Sequence, residues 1–166
     1  CGAASQPIGG PLVLVGHGLR SRQVLGPTSF GAAPEALVIP LRRYRCRACR
    51  AIVVVGPRGL VHDRSYSAPA IAGALAAMAS GATSVGVRTR TSPWTTVGPS
   101  AAERWVTLAR WVDAAQKGEM FAVTGLGELS RRRVAEQVTL ALAARGGHAP
   151  GMDLEASAFA GAALAA

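Results

Sequence analysis

The sequence predicts an α+β chain: a small N-terminal β ribbon over residues 1–64, an all-α module over 65–147, and an Ala/Gly-rich tail over 148–166. Three observations carry that prediction. Period-two and β-branched runs are confined to the first third, 3.6-residue periodicity with cap residues begins at Ser67, and the charge changes at the same place. Of a net +9, residues 1–64 hold +7, residues 65–120 hold +2, and residues 121–166 balance to zero. With 166 residues, the chain has room for two small modules.

PLVLV (11–15) reads as a short strand, after which GHGLRSR turns into a polar stretch. ALVIP (36–40) leads into LRRYR, where Leu41, Arg43 and Arg45 share one face of an extended strand and Arg42 and Tyr44 the other. AIVVV (51–55) is a β-branched strand stopped by the turn signal GPRG. Ser67 then caps a helix with Pro69 in its first turn and Ile71, Ala74, Leu75 and Met78 on one face, ending near Gly81. Thr83 caps a shorter second helix, and SPWTTVGP interrupts the chain with two prolines. SAAERWVTLARWVDAAQKG reads as the best helix, with Ser100 and Glu103 as a capping box, Trp105, Leu108 and Val112 as its apolar stripe, and Trp111 beside it. A last helix is expected over about 127–145, with Val134, Val138, Ala141 and Leu142 facing inward and Gly146 ending it.

Between the strands stands RRYRCRACRAIVVVGPRG (42–59), with Cys46 and Cys49 three apart among five arginines. A C-x-x-C turn lets two thiolates meet one tetrahedral Zn(II), and neighbouring guanidinium groups favour the thiolate form. Cys1 is the third cysteine, and a closed structural site needs a fourth ligand. Three readings stay open: a cysteine upstream of Cys1 in a longer chain, His17 as the fourth ligand, or no metal. A thioredoxin-like redox pair is disfavoured because a strand, and no helix, follows the cysteines at once. A structural disulfide is disfavoured because no export signal precedes them.

Seventeen of the 18 basic residues are arginine, which holds phosphate in a planar two-pronged fashion, so a polyanion, DNA first, is the expected partner. A solvated arginine-rich face of purely compositional origin is the plainer reading. No apolar run approaches the roughly 20 residues of a membrane span, and nothing reads as a signal peptide, so a cytoplasmic location is expected. The nine acidic residues are scattered, and no three-carboxylate constellation for two-metal phosphoryl transfer stands out. His62 beside Asp63, with Ser65 and Ser67 near, reads as a polar loop between modules more readily than as an acid–base pair. GHG (16–18) does not run into a helix as a phosphate loop would. A non-enzymatic protein is expected.

The order of features resembles the zinc-ribbon and helix-turn-helix region encoded by bacterial insertion sequences, found in transposases and in short transposase-associated proteins. The pieces that carry the resemblance are Cys1, VGHGLRSRQV, LRRYRCRACRAIVVVGPRG, RSYSAPAIAGALA, and SPWTTVG followed by ERWVTLARWV, together about residues 1–115. The resemblance implies one structural zinc on a four-cysteine ribbon matched by Cys1, Cys46 and Cys49. It further implies a helical DNA-binding unit, recognition of transposon DNA in the nucleoid, and a transposase catalytic subunit as a possible partner. Two contact sets follow from it: Arg42, Arg43, Arg45, Arg47, Arg50, Arg58 and Arg64 on phosphates around the ribbon, and Arg88, Arg90, Thr95, Thr96 and Arg104 at a groove or its edges. The departure from the pattern is the gap of about nine residues between Thr91 and Ser100, long for a helix-turn-helix unless SPWTTV itself forms a short intervening helix. The alternative function is a zinc-ribbon interaction module that holds a separate transposase or transcription component, with its charge serving solubility.

Overall fold

Strands come first and helices follow, as the change of periodicity predicts. The computed structural model describes residues 1–4, 8–94, 98 and 104–164. Among these, β1 (Leu14–Gly26), β2 (Glu35–Cys46) and β3 (Ile52–Val55) form one antiparallel sheet in the order β1-β2-β3, and α1 (Ala68–Ala79), α2 (Ser84–Thr91), α3 (Val106–Gln116), α4 (Arg131–Arg145) and α5 (Leu154–Leu164) follow. No helix among the described residues is long and apolar enough to cross a membrane.

The chain divides into two compact units, though not at residue 64. Cys1–Gln23 and Val38–Pro57 make the ribbon unit, while Val24–Leu37 and Arg58–Ala166 make the helical unit.

In the ribbon unit β1 is much longer than the strand expected over residues 11–15. It continues through GLRSRQVLG, where Arg20, Arg22 and Val24 alternate with Leu19, Ser21 and Gln23, a period-two pattern in which arginine replaces the usual apolar residue. β2 takes ALVIP and LRRYR into one strand and pairs with β3 in the register Arg42↔Val55, Arg43↔Val54, Tyr44↔Val53, Arg45↔Ile52. Pro40, which lacks an N–H for the ladder, falls before the stretch that β3 covers. Of the described side chains in this unit only Leu41 and Cys46 are buried.

The helical unit has an ordinary core. Ser67 Oγ accepts from the Ala70 N–H at 3.2 Å and starts α1, as expected, and Ile71, Ala74 and Leu75 are buried with Met78 half-buried. Thr83 Oγ1 accepts from the Gly86 N–H at 3.1 Å and starts α2 after a four-residue turn at 80–83 that contains Gly81 at φ +91°. The short turn in this chain therefore joins α1 to α2. Trp105 is the N-cap residue of α3, with no side-chain cap bond, and the expected capping box of Ser100 and Glu103 lies outside the described residues. Trp105 and Trp111 pack edge to face at 5.0 Å, and Tyr66 packs against both rings. The α4 helix starts at Arg131, not 127, and buries Val134, Val138 and Leu142. Ala135, Thr139 and Ala143 complete that face, whereas Ala141, expected inside, is half-exposed.

The tail read as Ala/Gly-rich forms α5, which packs on α1 and α4. Alanine and glycine give no amphipathic contrast, yet they allow close approach. A β-carbon at Gly161 would collide with the Leu142 carbonyl oxygen, and one at Gly146 with the Ser157 carbonyl oxygen.

Candidate metal centre

Five residues, Arg47–Ala51, lead the chain from β2 into β3. The Cys46 N–H donates to the Ala51 carbonyl at 2.9 Å, and the Arg50 N–H donates back to the Cys46 carbonyl at 2.9 Å. Closing so tight a loop puts Arg50 at φ +62°, a left-handed conformation that a non-glycine side chain adopts at some cost. The turn brings Cys49 back beside Cys46 with the N–H groups of Ala48 and Cys49 directed at the Cys46 sulfur. The backbone N–H of Cys49 holds the Cys46 thiol below its ordinary pKa; burial pushes the other way, and the Ala48 N–H adds to the lowering. Amide donors directed at a sulfur favour the thiolate, the form that binds metal.

Cys1 reaches the same place along a different path. The Arg47 N–H donates to the Val13 carbonyl at 2.8 Å and so ties the turn to the segment that leads into β1. Cys1 Sγ then lies 3.8 Å from Cys46 Sγ, and the three sulfurs of Cys1, Cys46 and Cys49 all lie within 4.8 Å of one another. Thiolates on one tetrahedral ion with metal–sulfur bonds of about 2.3 Å stand about 3.8 Å apart; the Cys1–Cys46 spacing matches that, and with the third sulfur within 4.8 Å the set is compatible with a metal ion. Cys46 is buried, and Cys1 and Cys49 are exposed. The group closes at three residues among those described. His17, exposed on β1, is not one of them.

Around this centre the charge is of one sign. The ribbon unit has 43 residues, 23 from its first segment and 20 from its second, and contains seven arginines and no acidic residue. Arg42, Arg45, Arg47 and Arg50 are exposed and Arg43 is half-exposed, and none of these five takes part in an ion pair among the described residues. By the β2–β3 register Arg42 and Tyr44 alternate with Arg43 and Arg45, so cations stand on both faces of the sheet. Gly16 of β1 leaves room for Arg42, whose Nη2 lies 3.4 Å from where a β-carbon would stand.

The other expected contact residues fall elsewhere. Arg58 and Arg64 belong to the helical unit, in the loop before α1. Arg88 and Arg90 lie on α2, Arg104 precedes α3, and Thr95 and Thr96 lie outside the described residues. Arg20 and Arg22 of β1, absent from the expected set, join the ribbon arginines. The R-x-R spacing of a strand face was the signal for them. His62 Nδ1 lies 2.9 Å from Asp63 Oδ2 with both side chains almost fully exposed, while Ser67 is occupied as a helix cap. Asp113 receives two hydrogen bonds from Arg131, at 3.1 and 3.2 Å.

No protein-family model, no curated protein and no solved structure matches this chain. The likeness to insertion-sequence proteins therefore rests on the sequence motifs alone.

Proposed function

We propose that the chain is a non-catalytic DNA-binding protein whose ribbon unit, stapled by a structural Zn(II) on Cys1, Cys46 and Cys49, clasps the phosphate backbone with Arg20, Arg42, Arg43, Arg45, Arg47 and Arg50. The observation that carries this reading is the charge of the ribbon: seven arginines without one acidic residue in 43 residues. A solvated face kept for solubility ordinarily mixes both signs, whereas an unbroken cationic surface costs self-repulsion that a polyanion relieves. Phosphate contacts of this kind give affinity and register before they give sequence specificity. In the setting that the motif resemblance implies, the DNA is that of a transposon and a transposase is the partner protein. Arg88 and Arg90 are left out of the interface because the Arg88 Nε is buried and Arg90 lines a cavity of the helical unit.

Fluorescence anisotropy with a labelled duplex across a salt series tests the proposal. Neutralising about six phosphates gives a slope of log K against log salt of about −5. A flat dependence would contradict it.

One observation favours the second reading, a protein-interaction module. Ile52, Val53, Val54 and Val55 are each 41–50% exposed along an edge strand, and such an edge can accept a strand from a partner. In that case, alanine at Arg42, Arg43, Arg45, Arg47 and Arg50 leaves DNA affinity unchanged.

A further inference from the structure

The loop of residues 27–34 between β1 and β2, together with α1, α2 and α5, lines an open cleft of about 450 Å³ within the helical unit. That is well inside the range of about 300–1,000 Å³ typical of small-molecule sites. Its walls are mostly apolar. Phe30 and Phe159 meet edge to face at 6.2 Å across one side, and Phe30 remains 45% exposed, so this pair leaves aromatic surface that no described residue of the unit covers. Gly73 forms part of the floor, and a β-carbon there would stand 3.5 Å from the Phe159 ring.

The few polar groups that line the cavity differ in whether they are engaged. Thr91 Oγ1 donates to the Val87 carbonyl at 2.8 Å, and Glu155 Oε1 accepts from Ser80 Oγ at 3.0 Å. Arg90 has no carboxylate partner among the described residues. An apolar cleft with one uncommitted guanidinium has the chemistry of a site for an amphiphilic anion, and a carboxylate matches the guanidinium in a planar, two-bond fashion.

We propose that this cavity binds a small monocarboxylate with an apolar tail, its carboxylate held by Arg90 and its tail lying against Phe30 and Phe159. The proposal is independent of the DNA reading, which concerns the other unit. Glu155 makes the choice of head group testable, since a cationic amphiphile would go to it instead.

Titration of the full chain with decanoate, followed by two-dimensional amide NMR, supplies the test, with decan-1-ol and decylamine as companions. Decanoate is expected to shift the amides of Gly73, Arg90 and Phe159 saturably, with a dissociation constant of about 0.1–1 mM for a ligand of this size. Arg90→Gln should weaken decanoate about tenfold and leave decanol unchanged. Gly73→Ala, which adds helix propensity while narrowing the floor, should weaken both and serves as a well-folded second variant. Three results would overturn the proposal: no saturable shifts with decanoate, decanoate binding unchanged in Arg90→Gln, or decylamine binding tighter than decanoate.

Discussion

The two units of this chain reach order by different means. The helical unit buries Trp111, Ile71, Leu75, Val87, Val112, Val134, Val138 and Leu142 almost completely, and its helices α1 and α2 are capped by Ser67 and Thr83. Among its described residues the ribbon unit buries two side chains, Leu41 and Cys46. Domains of about 40 residues rarely stand on a hydrophobic core alone, and a metal or a disulfide usually makes up the deficit. The buried residue with chemistry to offer here is Cys46, with two more thiols within 4.8 Å. The ribbon is thus gathered around a cluster of three cysteines, and the helical unit around packing.

The largest expected effect follows from that contrast. Removing metal with a strong chelator should collapse the amide dispersion of residues 8–23 and 38–57 while the helical unit keeps its spectrum, because structural zinc contributes about 10–16 kcal/mol to domains that depend on it. Equal loss in both units would break the comparison. Replacing Arg42, Arg43, Arg45, Arg47 and Arg50 with alanine should come next, lowering DNA affinity about 10³-fold at low salt through lost phosphate contacts. Zinc content in that variant should remain that of the wild type. Gly161→Ala should act on the opposite unit: forcing α5 away from the Leu142 carbonyl is expected to destabilise the helical unit by about 2–4 kcal/mol in thermal melting, without change in the ribbon's amide spectrum. The smallest effect is expected from Ser67→Ala, which removes the α1 cap and about 1 kcal/mol.

How much of this could be read beforehand also divides between the units. Helices α1 and α4 were legible because their end signals and apolar periodicity agree, α2 was legible from its Thr83 cap alone, and Ser67, Thr83 and Gly146 mark the boundaries found. The β3 strand was legible from its run of β-branched residues. Most of β1 was not, since its alternation is written in Arg20, Arg22, Ser21 and Gln23, which read as a polar loop when hydrophobicity is the signal. For α5 the obstacle was small-residue composition: Ala158, Gly161 and Ala162 pack by allowing close approach, which leaves no moment to detect. The C-x-x-C turn announced two ligands, and Cys1 could be named as a third. Its convergence on Cys46, 45 residues away in the chain, is something spacing does not encode. The cavity under residues 27–34 gave no sign in sequence, because its walls come from loop, α1, α2 and α5 together.

The most direct test of the zinc-stapled ribbon is metal content by elemental mass spectrometry on purified full chain, alongside a variant with Cys46 and Cys49 changed to serine. One zinc per chain that disappears in the variant, with disorder confined to the ribbon, is the predicted result. A ribbon that is equally ordered in both proteins with no metal in either would contradict the account.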